Sequence, residues 1–112
     1  WFMVVDKGDN PLNFVDPSGT AMFVYSIQRG VELGLLKAKE YTPVAYRGYQ
    51  SLFPFIQVND RGLLDVKGAC DGVVIKKNFI EYVTVPKILN AKEAVAGILW
   101  AAVIMETEQL KK

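Results

Sequence analysis

Three stretches of the chain carry apolar residues at steps of three and four, and each stretch predicts a helix. The first follows Asp16, which can cap a helix, and Pro17, which suits the first helical position. One apolar row runs along it: Ala21, Val24, Ile27, Val31 and Leu35. Further apolar residues widen that row: Met22, Phe23, Tyr25 and Leu33. A helix that is apolar on several sides is expected to be buried on several sides.

Two glycines lie one turn apart near the end of this first predicted helix. Gly30 and Gly34 could let a neighbouring helix approach closely. Gly34 could instead end the helix as a left-handed C-terminal cap. The sequence leaves both interpretations open.

The second helix is predicted to begin at Thr42, with Pro43 at its first position. Pro54 is expected to kink or end it near Phe53, because proline has no amide hydrogen to donate. The apolar side of this helix is formed by Tyr41, Val44, Ala45, Gly48, Leu52 and Phe55.

Shorter segments between the helices have strand character. Residues 62–75 predict strands broken by Gly68 and Gly72, in the manner of a hairpin, after a turn at residues 58–62. Residues 79–86 predict another extended piece, and residues 1–5 a strand-like lead-in. The sequence therefore predicts a mainly α fold with a short β-hairpin between the second and third helices.

The third helix is predicted to begin at Asn90, because Asn90 and Glu93 have the spacing of a capping box. Its core row is predicted to be Val95, Ile98, Leu99, Ala102 and Met105. Small residues that permit close helix contact accompany that row: Ala94, Ala96, Gly97, Ala101 and Ala102.

The composition changes this picture in one respect. Hydrophobic residues make up 51% of the 112 residues. This is a large fraction for a small domain, because a small domain has a high ratio of surface to volume and needs polar residues on that surface. Two interpretations follow: the chain self-associates, or residues 1–112 are a single fragment of a larger domain whose other parts cover the apolar faces.

Several functional classes are disfavoured. The net charge of +1 comes from mixed signs without a basic patch, so no nucleic-acid partner is expected. The longest apolar run, residues 94–105, is too short to span a bilayer, so no membrane partner is expected. The chain has no histidine and one cysteine, Cys70, which removes the commonest general base and metal ligand, and no metal or cofactor is expected. The compartment stays open between cytoplasm and periplasm.

Residues 16–36, DPSGTAMFVYSIQRGVELGLL, resemble a helix found in unsaturated rhamnogalacturonyl hydrolases, which are family 105 glycoside hydrolases related to family 88. The preceding WFMVVDKGDNPLN, the segment VNDRGLLDVKGAC and the final YVTVPKILNAKEAVAGILWAAVIME are similar to further runs of that family. The resemblance covers the C-terminal portion of the family only. It departs at Met3, where the family has Gln, and at Ala91 and Ala94, where it has Asp and Gly.

The resemblance implies an (α/α)6 toroid, of which this chain would be the C-terminal segment. It also implies a glycosidase that removes a terminal unsaturated uronic acid from pectin- or glycosaminoglycan-derived oligosaccharides by hydrating the C4=C5 double bond. The aspartate that serves as general acid and base is expected outside this chain, so no catalytic residue is assigned here and the fragment alone is expected to be inactive. The alternative is a non-catalytic carbohydrate-binding or structural helical module.

The resemblance also suggests residues for substrate contact. Asn90 and Lys92 lie in a loop where the related family contacts substrate, and Ser18 lies in the other matched loop. Each has a plainer interpretation, with Asn90 and Ser18 as helix caps and Lys92 as a surface lysine. Trp1 and Tyr82 could stack on a sugar ring or pack in the core.

Overall fold

Helices dominate the computed structural model, which describes residues 1–111. The described helices are α1 (Pro17–Glu32), α2 (Ala38–Gln50), α3 (Phe79–Val83) and α4 (Lys92–Leu110). The strands are β1 (Ile56–Val58), β2 (Leu64–Val66), β3 (Ala69–Cys70) and β4 (Lys87–Ile88). The mainly α class predicted from the sequence is therefore confirmed.

Helix α1 begins and ends as its sequence indicates. The Asp16 side chain accepts hydrogen bonds from the backbone N–H groups of Ser18 and Gly19, and Pro17 occupies the first turn. At the other end, Gly34 has a φ of 74°, and the amides of Gly34 and Leu35 donate to the carbonyls of Val31 and Gly30. This pair of bonds is a Schellman motif, so Gly34 is the C-terminal cap of α1. Within residues 1–111, no atom lies within 4 Å of a Cβ atom placed on Gly34.

Helix α2 begins four residues before the predicted start at Thr42, and that boundary prediction was wrong. Pro43 lies inside the helix, where it cannot donate to the carbonyl of Lys39. Lys39 is exposed, so water can take the place of the missing donor. The helix ends at Gln50, before Pro54, which lies in a short 3-10 turn over Phe53–Phe55.

A β-hairpin follows α2, although its pairing differs from the prediction. Strand β1 pairs antiparallel with β2 across the turn at residues 59–63, with Gln57 opposite Asp65. Strand β3 pairs instead with β4, which lies after α3. The predicted β-hairpin between the second and third predicted helices is therefore confirmed. Its placement within residues 62–75 was wrong in strand pairing, because the apolar pattern did not reveal β1 as the partner of β2.

Two predicted extended segments have other structures. Residues 79–83 form α3, which begins where the Asn78 side chain accepts a hydrogen bond of 2.9 Å from the amide of Glu81. Residues 1–5 contain a bend at residues 3–4 and the start of a turn at Val5, with one antiparallel bridge between Phe2 and Val15. Local capping in one segment and turn chemistry in the other override strand propensity.

Helix α4 starts at Lys92, and its N-cap is Ala91 without a side-chain cap. The predicted capping box at Asn90 and Glu93 was therefore wrong. The predicted core row was also displaced, because Leu99 is exposed whereas the following residues are buried: Ala94, Gly97, Ile98, Ala101, Ile104 and Met105.

The core lies where α1 meets α2 and α4. A Cβ atom placed on Gly97 would lie 3.2 Å from the Ala21 side chain, so α4 and α1 approach closely at this point. Gly48 of α2 similarly lies against the side chains of Trp1 and Val24. None of the helices within residues 1–111 is long and apolar enough to cross a membrane.

Candidate functional site

A cleft of about 390 Å³ opens beside the beginnings of α1 and α4. Its walls come from five separate parts of the chain, which the fold brings together. The lining residues are Met3, Asp16, Ser18, Gly19, Met22, Cys70, Gly72, Val73, Tyr82 and Glu93. The cleft thus combines carboxylate and hydroxyl groups with apolar side chains, a composition that suits a ligand with both hydroxyl groups and C–H faces.

Asp16 and Ser18 are fixed at the α1 side of the cleft. The Ser18 hydroxyl donates to Asp16 Oδ1 at 2.9 Å, and the amide of Gly19 donates to Asp16 Oδ2 at 3.0 Å. Because these bonds also cap the helix, they hold both side chains in place. Ser18, a residue predicted to contact substrate, therefore lies in the cleft wall, where it also supports the cap.

Glu93 lies on the α4 side of the cleft and has an unsatisfied oxygen. Its Oε2 atom is buried and has no hydrogen-bond partner within residues 1–111. A carboxylate oxygen removed from water without a donor is unfavourable. A bound group that donates a hydrogen bond could satisfy this oxygen. The sequence pattern assigned Glu93 to a capping box, so its place in the cleft was not foreseen.

Cys70 forms part of the cleft wall at the end of β3. Burial raises the pKa of its thiol, and the nearby Asp16 carboxylate raises that pKa further, whereas Lys87 lowers it. The thiol is therefore held in its neutral form near neutral pH. Cys70 is free and buried, so it packs as a small apolar residue.

Asn90 and Lys92 lie outside the wall of this cleft. The Asn90 side chain donates to Asp65 Oδ1 at 2.9 Å and accepts from the amide of Val66 at 2.7 Å, and the Asn90 amide donates to the Val66 carbonyl at 2.7 Å. Asn90 therefore ties the entry to α4 to strand β2. Lys92 is exposed in the first turn of α4. Contact of either residue with substrate stays a prediction.

Two further cavities adjoin the cleft. One of about 190 Å³ shares Met3, Asp16, Gly19 and Tyr82 with it and reaches Trp1. There the Trp1 ring packs edge-on against Phe23, with centroids 5.3 Å apart. The other cavity, of about 540 Å³, shares Gly72 and Val73 with the cleft. The cleft therefore shares wall residues with each of the other two cavities.

The side chains in these cavities favour binding through hydrogen bonds and apolar contact. Tyr82 is half-buried in both the cleft and the smaller cavity, where its ring could face a flat ligand. Within residues 1–111, no group of three or more His, Cys, Asp or Glu side chains is placed to hold a metal ion.

The fold has a close counterpart among solved structures. The chain superposes on a family 105 glycoside hydrolase of C. acetobutylicum ATCC 824 with a TM-score of 0.86 and 27% sequence identity. The match covers 96% of this chain and 31% of that one. The chain thus spans about a third of the length of that enzyme and has the α/α architecture of a glycoside hydrolase toroid.

A match in sequence identifies the glycoside hydrolase family to which the chain belongs. The family model of Glycosyl Hydrolase Family 88 matches residues 1–109. The chain belongs to Glycosyl Hydrolase Family 88, and its resemblance to families 88 and 105 is confirmed.

Proposed function

We propose that this chain is part of a glycosidase that removes a terminal unsaturated uronic acid from pectin- or glycosaminoglycan-derived oligosaccharides. The observation that carries the proposal is the family match over residues 1–109. The cleft supports it, since it offers hydroxyl and carboxylate groups for sugar hydroxyls and apolar walls for the sugar ring.

In the proposed reaction, a carboxylic acid protonates the C4=C5 double bond and directs water to C5, after which the product rearranges and releases the remaining sugar. Such a group must take up and release a proton, as a general acid and base does. We assign that role to an aspartate outside residues 1–112, since the matching motif does not occur in them. The chain alone is then inactive.

The contribution of this chain is to bind the substrate. Ser18 lies in the cleft wall, and its hydroxyl can accept a hydrogen bond from a sugar while it donates to Asp16. Lys92 and Asn90 lie at the entry to α4, where the helix dipole and a lysine charge favour a carboxylate such as that of a uronic acid. We propose all three as substrate contacts.

We further propose that residues 1–112 are the C-terminal segment of an (α/α)6 barrel. The outer side of α4 supports this, because Leu99 and Val103 are each more than half exposed. An apolar surface of this kind marks a contact site. In the complete barrel it would pack against the remaining helices, and in the isolated chain against a second copy.

The proposed glycosidase activity is tested with the complete barrel protein of which residues 1–112 are proposed to be a segment. It should consume lyase-generated unsaturated oligosaccharides, which is followed as loss of the ultraviolet absorbance of the double bond. The substitution Ser18→Ala should raise KM more than it lowers kcat, because it removes a binding contact. Ser26→Ala, on the exposed side of α1, is the matched control and should leave both constants unchanged.

Two outcomes would contradict the proposed function. If no unsaturated uronide loses its absorbance, although the polypeptide binds oligosaccharides, the alternative of a non-catalytic carbohydrate-binding module is favoured. If the purified 112-residue chain turns over substrate by itself, the catalytic group is not outside it.

A further inference from the structure

The charges in the wall of the cleft beside α1 and α4 all have one sign. Asp16 and Glu93 supply two carboxylates, and no lysine or arginine of residues 1–111 lines the cleft. Neither carboxylate forms an ion pair with another group in the described part of the chain. Each lies at the beginning of a helix, where the helix dipole favours a negative charge. The cleft is therefore a negatively charged site.

The two carboxylates differ in how well their oxygens are satisfied. Both oxygens of Asp16 accept hydrogen bonds, from the Ser18 hydroxyl and from the amides of Ser18 and Gly19. Glu93 Oε2 is buried and accepts none from the residues that the structure describes. Because an unpaired carboxylate oxygen away from water is unfavourable, Glu93 is the acid that gains more from a ligand with a hydrogen-bond donor.

The lysines around the cleft do not cancel this charge. Lys87 lies close enough to Cys70 to act on its thiol, but it does not line the cleft. Its ammonium group lies 3.9 Å from the centroid of the Phe14 ring, and this cation–π contact holds it there. Lys92 is exposed at the start of α4 and also lies outside the wall. Positive charge is therefore available beside the cleft and not inside it.

We propose that Glu93 determines which sugar unit the cleft accepts: a unit that donates hydrogen bonds and has no negative charge, whereas a uronate or a sulfated hexosamine is excluded. The inference rests on the proposed function. The unsaturated uronate then lies near Lys92, and the unit linked to it occupies the cleft. A hydroxyl or ammonium hydrogen of that unit can bind the Glu93 carboxylate, whereas Glu93 and Asp16 repel a carboxylate or a sulfate. Selection of this kind comes from repulsion of the wrong ligand.

The test compares unsaturated disaccharides whose second unit is either neutral or anionic. One pair is the chondroitin disaccharide without and with sulfate on its hexosamine, and the other is an unsaturated uronic acid linked to rhamnose or to galacturonic acid. Both pairs are given to the complete barrel protein, and kcat/KM is followed as loss of ultraviolet absorbance. In each pair of which it consumes a member, kcat/KM should be about tenfold or more higher for the neutral disaccharide.

The variant Glu93→Gln keeps an oxygen acceptor and removes the charge, so the ratio between neutral and anionic probes should narrow about threefold or more. Glu108→Gln is the matched control, because Glu108 lies on the same helix, about 22 Å further along it, and does not line the cleft. It should leave the ratio as it is. Raising the salt concentration provides a readout that needs no variant, and it should narrow the ratio of the unsubstituted protein because salt screens charges.

The possible results separate this inference from the proposed function. Equal kcat/KM for the neutral and anionic members, or an equal effect of Glu93→Gln and Glu108→Gln, would overturn the role of Glu93 while the proposed function stands. If the probes bind without turnover, the proposed reaction fails, and the ratio of their dissociation constants decides the role of Glu93 in the same way. Failure of every probe to bind would overturn the role of Glu93 together with saccharide binding by the cleft.

Discussion

The two sides of α4 differ in side-chain size more than in polarity. On the side that faces α1, small residues such as Ala94, Gly97 and Ala101 are buried, and Gly97 lies against Ala21. On the opposite side, large residues such as Leu99 and Val103 are 59% and 68% exposed. Both sides are apolar, but only the first is covered within residues 1–111.

This difference is typical of a helix that packs against one neighbour on each of two sides. Small residues bring α1 and α4 together closely, so that side is complete within the chain. Large residues exposed to water are unfavourable unless another surface covers them. The outer side of α4 therefore has the composition of an interface, which agrees with a chain that spans about a third of its structural relative.

The largest effect on the free energy of unfolding should come from truncating a side chain on the buried side of α4. Met105 is 1% exposed, and Met105→Ala should lower the free energy of unfolding by about 3 kcal/mol, because it leaves a cavity. Leu99→Ala removes a side chain of similar size from the outer side and should cost less than about 1 kcal/mol. Urea denaturation of both variants measures the contrast, and equal losses would show that the two sides do not differ.

Overfilling the close contact should have a smaller effect. Gly97→Leu places a side chain where a Cβ atom alone would lie 3.2 Å from Ala21, and it should cost about 2 kcal/mol. Ala96→Leu is the control, because Ala96 is the preceding residue and is exposed. The midpoint of chemical denaturation reports both effects. A Gly97→Leu variant as stable as Ala96→Leu would mean that α1 and α4 are not in close contact there.

The weakest of these effects concerns the point where α2 meets the end of α4. The Tyr49 hydroxyl donates to Glu106 Oε1 at 2.7 Å, and Tyr49→Phe should cost about 1 kcal/mol. Burial, followed by the bond to Glu106 and its charge, raises the pKa of Tyr49 to about 12. Tyr46→Phe, on the same helix but more exposed, is the control and should have a negligible effect.

The raised pKa of Tyr49 also predicts how stability depends on pH. The folded chain holds the phenol proton more tightly than the unfolded chain, whose tyrosine pKa is about 10. This contribution to stability is therefore present below pH 10 and is lost as the pH rises towards 12. Unfolding measured across that range should show a decline that Tyr49→Phe reduces. An unchanged decline would assign it to other groups.

The sequence predicted the features that local chemistry determines. The cap at Asp16 follows from the hydrogen-bonding capacity of a short acidic side chain, and the end of α1 at Gly34 follows from one of the two interpretations left open. The helical class follows from the spacing of apolar residues. Family membership follows from the motif in residues 16–36 together with the similar runs around it.

The errors arose where tertiary contacts decide between equivalent local patterns. Because residues 94–105 of α4 are apolar on all sides, periodicity does not show which side is buried, and the prediction that Leu99 lies in the core was wrong. Asn90 has the composition of a cap, but the amide of Val66 and the carboxylate of Asp65 bind its side chain instead. The role of Glu93 in the cleft depends on the approach of α1 to α4, which no local pattern encodes.

The outer side of α4, around Leu99 and Val103, is proposed to be a contact surface. Sedimentation velocity of the 112-residue chain over a range of concentrations tests it most directly, with the double variant Leu99→Lys and Val103→Lys as comparison. We predict that the chain associates as its concentration rises and that the double variant stays monomeric with unchanged stability. A chain that is monomeric at every concentration, or a variant that associates equally, would contradict the claim.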